Sequence, residues 1–429
     1  MKSNSRRKFL RSLSTGVSAS ILLPGLTIAD SAGFFEDTLH KLNKIADPRS
    51  EAYWETIKSQ FEFTDGLKYF NNASLGGSSI PIRNATRAYR DTLDAFPSKY
   101  MWGGWKDEKE ETREAVARLF SVSSEEIALI HNTTEGMNLI ARSFDLEPGD
   151  EVVLADHEHS SGRIPWEVWQ ETKGIHLVRP TLPILPKDVN DLVKVYEDAI
   201  TPRTKVISMC HIVNTNGMML PVKEVSEMAH ERGILVAVDG AQSAGMYKID
   251  LNDLGCDFYA ASSHKWLFSP KGVGVFYARQ ESQKHLRPLI VARGHRDDSI
   301  RRLENYNTRN LPEVLGLGAA VNFINEIGID KIHDRTFDLK AYFREKINTH
   351  PKLILKTPAS DQLSGAIQVV EVQGRGVAEA KNILIEDYNI DCRPMSGFDL
   401  NALRISLAIY ITKSDIDYLI NALSEITDS

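Results

Sequence analysis

An α/β fold, with a large and mostly parallel sheet followed by a smaller α+β C-terminal unit, is predicted by three features of this sequence. From about Ser121 to Arg279 short β-branched runs alternate with segments of helical period, the pattern of a parallel sheet covered by helices on both faces. Past Arg279 the alternation ends, and a long helical stretch leads to sparser strand signals. Hydrophobic residues make up 42% of the 429, enough for an extensive core, and nothing after the N-terminus is apolar over the length of a membrane span.

Residues 1–29 read as a leader and not as part of the fold. Ser5-Arg6-Arg7-Lys8-Phe9-Leu10-Arg11 precedes an apolar run, 17–28, that is broken by Pro24 and Gly25 and ends at Thr27-Ile28-Ala29. A basic start, a weak apolar middle and a small-residue exit are the layout of an export signal, and paired arginines before Phe-Leu mark the twin-arginine kind. The expectation is a protein handled by the twin-arginine export machinery, periplasmic, and without a stable membrane anchor. That route moves folded proteins, so a cofactor would be loaded before export.

The remaining elements follow in order. Residues 30–100 form an N-terminal segment expected to pack on the small domain, 101–310 the large domain, and 311–429 the small C-terminal domain. Strands are predicted at 126–130, 151–154, 175–178, 205–209, 234–238, 258–261 and 274–277, and helices at 135–142, 188–200 and 222–232. Gly233 stands where a helix stop belongs. A helical stretch over 311–348 leads to strands at 353–356 and 366–371. The closing helix starts at a Thr412-x-x-Asp415 capping box and carries Ile416, Leu419, Ile420 and Leu423 on one face.

Charge and cysteine content narrow the function. A net charge of −7 lacks the basic footprint of a nucleic-acid binder. Cys210, Cys256 and Cys392 cannot all pair within one chain, and no two have a Cys-x-x-Cys spacing, so neither a disulfide framework nor a cysteine zinc site is indicated.

The chemistry concentrates in Val238-Asp239-Gly240-Ala241-Gln242 and Ser262-Ser263-His264-Lys265-Trp266. Asp239 ends an apolar strand, and ligands of open α/β sheets bind beyond the carboxyl ends of the strands. A carboxylate there, with a lysine one strand and loop later, suits pyridoxal phosphate. That cofactor needs a lysine for its Schiff base and an acid to keep its ring nitrogen protonated. Asn132-Thr133-Thr134-Glu135-Gly136 follows a strand and opens a helix with hydroxyl residues at its cap, a place for a phosphate. Asp156-His157-Glu158-His159 also follows a strand, which brings His159 to the same crevice. The competing reading of His157, His159 and Asp239 is a metal site of a hydrolase.

Together these motifs resemble the class V aminotransferase family of fold-type I pyridoxal phosphate enzymes, from Tyr69-Phe70-Asn71-Asn72-Ala73 to Leu403-Arg404-Ile405-Ser406-Leu407. The resemblance implies that Lys265 forms the Schiff base and moves protons, Asp239 pairs the ring nitrogen and His159 stacks on the ring. It places Gln242 and Asn214 near the ring oxygen. Thr133, Thr134, the Glu135 backbone, Ser262 and His264 would hold the phosphate, with Thr308 lent by a second subunit of a homodimer. Arg404 is similar to the family's substrate-carboxylate arginine, Asn72 is placed in the substrate pocket, and Arg309 would serve a second carboxylate or the phosphate. No metal is expected.

Within the family, the group II cysteine desulfurases carry a nucleophilic cysteine shortly before the carboxylate arginine. Here the stretch from Arg393 to Arg404 has none, and Cys392 is expected to be packed inside. The resemblance is therefore to the isopenicillin N epimerase-like branch, with epimerase or aminotransferase chemistry on an amino acid or amino-acid-derived peptide. A C–S lyase or desulfurase-like enzyme and a degenerate, non-catalytic binding module are the alternatives. The Tyr100–Trp105 stretch reads equally as pocket wall and as packing.

Overall fold

The computed structural model describes Gly33 and residues 35–428; the leader read at 1–29 lies outside the described residues. The chain opens with α1 (Glu36–Leu42), α2 (Glu51–Lys58), the short strand β1 (Lys68–Tyr69), α3 (Ile80–Ala95) and α4 (Lys106–Leu119). The large sheet is then laid down as β2 (Ile127–Ile130), α5 (Thr133–Ser143), β3 (Glu151–Val153), α6 (Ser160–Lys173), β4 (His176–Val178), α7 (Val189–Ala199) and β5 (Thr204–Cys210). It continues with α8 (Val222–His230), β6 (Leu235–Asp239), α9 (Leu251–Leu254), β7 (Phe258–Ser262) and β8 (Gly274–Ala278). The strand order is β2-β8-β7-β6-β5-β3-β4, and only β8 runs against its neighbours. All seven expected strands occur, each within a residue of its expected ends.

The sheet is buried on both faces, as its near-continuous apolar strands require. Ile207, Val236, Val238, Tyr259 and Val275 enter one hydrophobic cluster, while Val206, Ala237, Phe258, Ala260 and Phe276 enter the other. This is the two-residue period of a pleated strand. Helix α5 lies so close to β7 that a Cβ at Gly136 would stand 2.5 Å from the Ala260 Cβ. Helix α6 was not expected; Pro165 inside it masked the helical period of its flanks. Strands β5, β6 and β7 end side by side at Cys210, Asp239 and Ser262, which sets the edge where the site forms.

The stretch expected as one helix over 311–348 is two, α10 (Leu311–Ile327) and α11 (Ile329–Asn348), broken at Gly328 with φ +94°. α10 packs on α3 and α4. Beyond it come β9 (Leu353–Leu355), β10 (Ile367–Val372), α12 (Val377–Tyr388), β11 (Ile390–Asp391), β12 (Arg393–Gly397), β13 (Leu400–Ser406) and α13 (Lys413–Asp428). Four of these strands form an antiparallel sheet in the order β12-β13-β10-β9.

The part of the N-terminal segment around residues 58–69 joins this unit. β1 pairs in parallel with β11, Lys68 opposite Ile390. Thr412 N–H donates to Asp415 Oδ2 at 3.0 Å and Asp415 N–H to Thr412 Oγ1 at 3.3 Å, the capping box that starts α13. Lys58 and Lys68 both bond the same carboxylate. Among the described residues no helix is long and apolar enough to cross a membrane.

Candidate active site

Lys265 stands just past the end of β7, in a turn that runs beside the segment 71–77. Gly76 is essential to that approach, because a Cβ there would come within 2.2 Å of the Lys265 carbonyl oxygen. Burial pushes the Lys265 ammonium down to about 8; the Asp239 carboxylate opposes that shift, and Arg404 and Arg393 add to it. Asp239, 5% exposed, ends β6, and its Oδ1 accepts from the Ala241 N–H at 2.9 Å. An acid and a depressed lysine thus share one pocket at the carboxyl edge of the sheet.

His159 caps α6, with its Nδ1 accepting from the Ser161 N–H at 3.2 Å. The neutral ring therefore carries its proton on Nε2. Desolvation lowers its basicity, and Lys265, Arg393 and Arg404 push the same way, against Asp239. The neighbouring His157 points elsewhere. It is buried, with Nδ1 2.6 Å from Thr215 Oγ1 and its ring stacked on Phe398, centroids 4.4 Å apart. Among the described residues no group of three His, Cys, Asp or Glu side chains has the arrangement of a metal centre.

At the N-terminus of α5 the cap is the Asn132 side chain, where hydroxyls were expected; its Oδ1 accepts from the Glu135 N–H at 3.0 Å. Thr133 gives its N–H to Ser262 Oγ at 2.9 Å. No described residue accepts from the Thr134 N–H, whereas the Glu135 N–H is taken by the Asn132 cap. Glu135's carboxylate turns outward to His131 and to the Tyr306 hydroxyl. The Thr134 hydroxyl donates to Ser161 Oγ at 3.0 Å. Burial, with Lys265 and Lys271 nearby, lowers His264 to about 4, and its Nδ1 is buried without a partner.

Arg404 is 2% exposed on β13. It donates from Nη1 to the Asn214 carbonyl at 2.9 Å and from Nη2 to Ser74 Oγ at 2.6 Å, and its buried Nε is unpartnered. Burial first, then Arg393, lowers it to about 9. Gln242 uses both ends of its amide, Nε2 to the Ala73 carbonyl and Oε1 from Trp266 Nε1.

Three expected residues fall elsewhere. Asn72 is fully buried, and its amide bonds the Lys265 carbonyl at 3.3 Å and the Tyr410 hydroxyl at 3.1 Å, so it braces the lysine turn. Arg309 lies over the Tyr306 ring and donates to the Glu304 carbonyl, in the charge cluster of Glu304 and Arg113. Thr308, next to it, is exposed and makes no hydrogen bond to the Lys265 pocket. This loop lines a separate cavity of about 410 Å³ with Met101, Lys106 and Lys109. Tyr100 and Trp105 also line it, and Trp105 packs edge-on against Tyr89 and tilted against Tyr100, so the same residues serve as cavity wall and as packing.

Sequence reasoning missed three groups. Ser74 orients Arg404, and Arg393 shares its field. Glu158, buried and flanked in sequence by the two histidines, accepts from the Cys210 N–H at 2.9 Å and has an unpartnered Oε2. Burial, with Asp239 adding to it, raises that carboxyl to about 8. Its place in Asp156-His157-Glu158-His159, beyond a buried strand, was the available signal.

Comparison with known proteins follows this geometry. The family described as Aminotransferase class-V matches residues 102–419. The chain is similar to the isopenicillin N epimerase of Streptomyces clavuligerus, 31% identical over 393 residues, which cover 88% of this chain and 99% of that protein. It is also similar to a probable cysteine desulfurase of Halalkalibacterium halodurans, 32% identical over 74% of this chain and 82% of that one. A solved cysteine desulfurase of Escherichia coli shares the fold, with a TM-score of 0.75 at 24% identity, covering 88% of this chain and 98% of that chain.

Proposed function

The chain belongs to the class V aminotransferase family of pyridoxal phosphate enzymes, and from that premise we propose that it acts on an amino acid or amino-acid-derived peptide by epimerase- or aminotransferase-type chemistry. The residues fit the cofactor. A depressed lysine faces a buried carboxylate, and the unpartnered His264 Nδ1 and open Thr134 N–H are donors for a phosphate. Thr133 and Ser262 brace that end through their mutual bond. The bound cofactor supplies an electron sink that stabilises negative charge at a substrate's Cα.

The protein's own groups do the rest. Asp239 holds a protonated ring nitrogen by a charge-assisted bond. Lys265, whose ammonium burial brings down to about 8, takes and returns the Cα proton. Arg404 orients the α-carboxylate through its free donors. His159 would lie against the bound cofactor and offer a second acid–base group.

One observation carries the choice of branch: no reactive thiol serves this pocket. Cys392 is 1% exposed on the edge between β11 and β12, and burial pushes its thiol up to about 12. Burial raises Cys210 and Cys256 as well. Sulfur transfer through an enzyme persulfide needs a thiolate. The stretch between Arg393 and Arg404 is a tight hairpin, β12–β13, turning at Phe398 and Asp399.

We further place the enzyme in the periplasm after twin-arginine export, as a homodimer in which the Thr308–Arg309 loop of one subunit completes the site of the other; the exposed Thr308 and the cavity beside it support that reading. Mass spectrometry of products from a panel of amino acids and small peptides tests the activity. Epimerised or deaminated product is expected. Rapid sulfide release from cysteine, abolished in Cys392→Ala, would overturn the proposal.

A further inference from the structure

Arg393 and Arg404 stand directly opposite each other on β12 and β13. Their side chains therefore share one face of the small sheet, with Cβ atoms roughly 5 Å apart. Like charges so placed weaken a strand pair, and among the described residues no carboxylate forms a hydrogen bond or ion pair with either arginine. Arg393 makes no hydrogen bond or ion pair with a described residue. Arg404 bonds two neutral oxygens and keeps a buried, unpartnered Nε. The two cations bracket the pocket: Arg404 acts more strongly on Lys265, Arg393 more strongly on His159. Arg404 is enclosed, whereas Arg393 is exposed. The fold thus maintains two adjacent unneutralised charges, one deep and one outer.

We infer that the site takes amino acids bearing a second carboxylate, with Arg404 holding the α-carboxylate and Arg393 the distal one. The inference rests on the proposed function, since it takes Arg404 as the α-carboxylate group. A dianion would neutralise both cations at once and remove the repulsion across the ladder. A substrate with a neutral side chain would leave Arg393 uncompensated.

Calorimetric titration of the cofactor-loaded enzyme with glutarate and with butyrate reads the second carboxylate alone, because neither has an amino group to react. Glutarate should bind about 10-fold more tightly, the lower end of what a charge-assisted contact gives. Arg393→Gln should bring glutarate down to the affinity of butyrate. Equal binding of the two acids to the wild type, or a preference that survives Arg393→Gln, would overturn the inference. The visible chromophore of the lysine-linked cofactor, read in the same samples, separates the two levels. A normal chromophore without a glutarate preference refutes only the second carboxylate site; a wild-type chromophore that persists in Lys265→Ala refutes the proposed function beneath it.

Discussion

Replacing Arg404 with glutamine should weaken capture of the substrate carboxylate while leaving the cofactor bound. The guanidinium is 2% exposed and anchored at both ends, by the Asn214 carbonyl at 2.9 Å and Ser74 Oγ at 2.6 Å, so its remaining donors are held in place before a substrate arrives. Hydrogen bonds to charged groups are worth about 1.5–3 kcal/mol, which corresponds to a loss of roughly 10- to 150-fold in kcat/KM. Leaving one of the two acceptors unsatisfied would cost stability on the order of 1–3 kcal/mol. Loss of the repulsion from Arg393 offsets part of that. Removing the positive charge should also raise the Lys265 ammonium above its present value of about 8, since Arg404 is one of the groups that lower it. Steady-state kinetics across pH, with the chromophore and the melting temperature as controls, reads all three effects. Unchanged kcat/KM would take Arg404 out of the site, and a lost chromophore would make it a cofactor residue.

Asp239→Asn should cut turnover by orders of magnitude while the protein still binds the cofactor, because the amide cannot charge-pair the ring nitrogen; near-normal kcat would assign that role to another group. Asp415 is held at about 2: burial would raise it, but bonds from Lys58, Lys68 and the Thr412 N–H prevail. Its folded value lies below the ordinary 3.8, so it contributes about 2 kcal/mol that is fully present above pH 4 and lost as the pH falls toward 2. Thermal melts of wild type and Asp415→Asn should therefore differ at pH 7 and converge in acid, and a constant difference would refute the linkage. Changing Arg6 and Arg7 to lysine should retain active protein in the cytoplasm, as fractionation would show; export unaffected by both changes would remove the twin-arginine assignment.

The large sheet was legible because its strands are buried on both faces and read as apolar runs between helical periods. β6 and its terminal Asp239, and β7 with Lys265 just beyond, follow from that pattern alone. The pairing of β1 with β11 was not legible, since two-residue strands carry no period. The break at Gly328 was hidden because apolar residues continue on both sides of it. At the site, Lys265 and Asp239 were picked out as chemistry placed at strand ends, His159 from its motif after a strand, and Arg404 from its resemblance to the family's carboxylate arginine. Asn72 and Arg309 were assigned from the family resemblance, but which way they face depends on tertiary packing: Tyr410 and the Lys265 carbonyl take one, Tyr306 and Glu304 the other. Ser74 and Arg393 were missed because their importance exists only through Arg404, across a hairpin and a domain contact that no local window displays.

Proton exchange at Cα in heavy water tests the account at its centre. The cofactor-loaded wild type, incubated with the amino-acid panel, should wash deuterium into the Cα position of at least one substrate, and Lys265→Ala should abolish that exchange without unfolding the protein. Exchange that persists in Lys265→Ala would contradict the account.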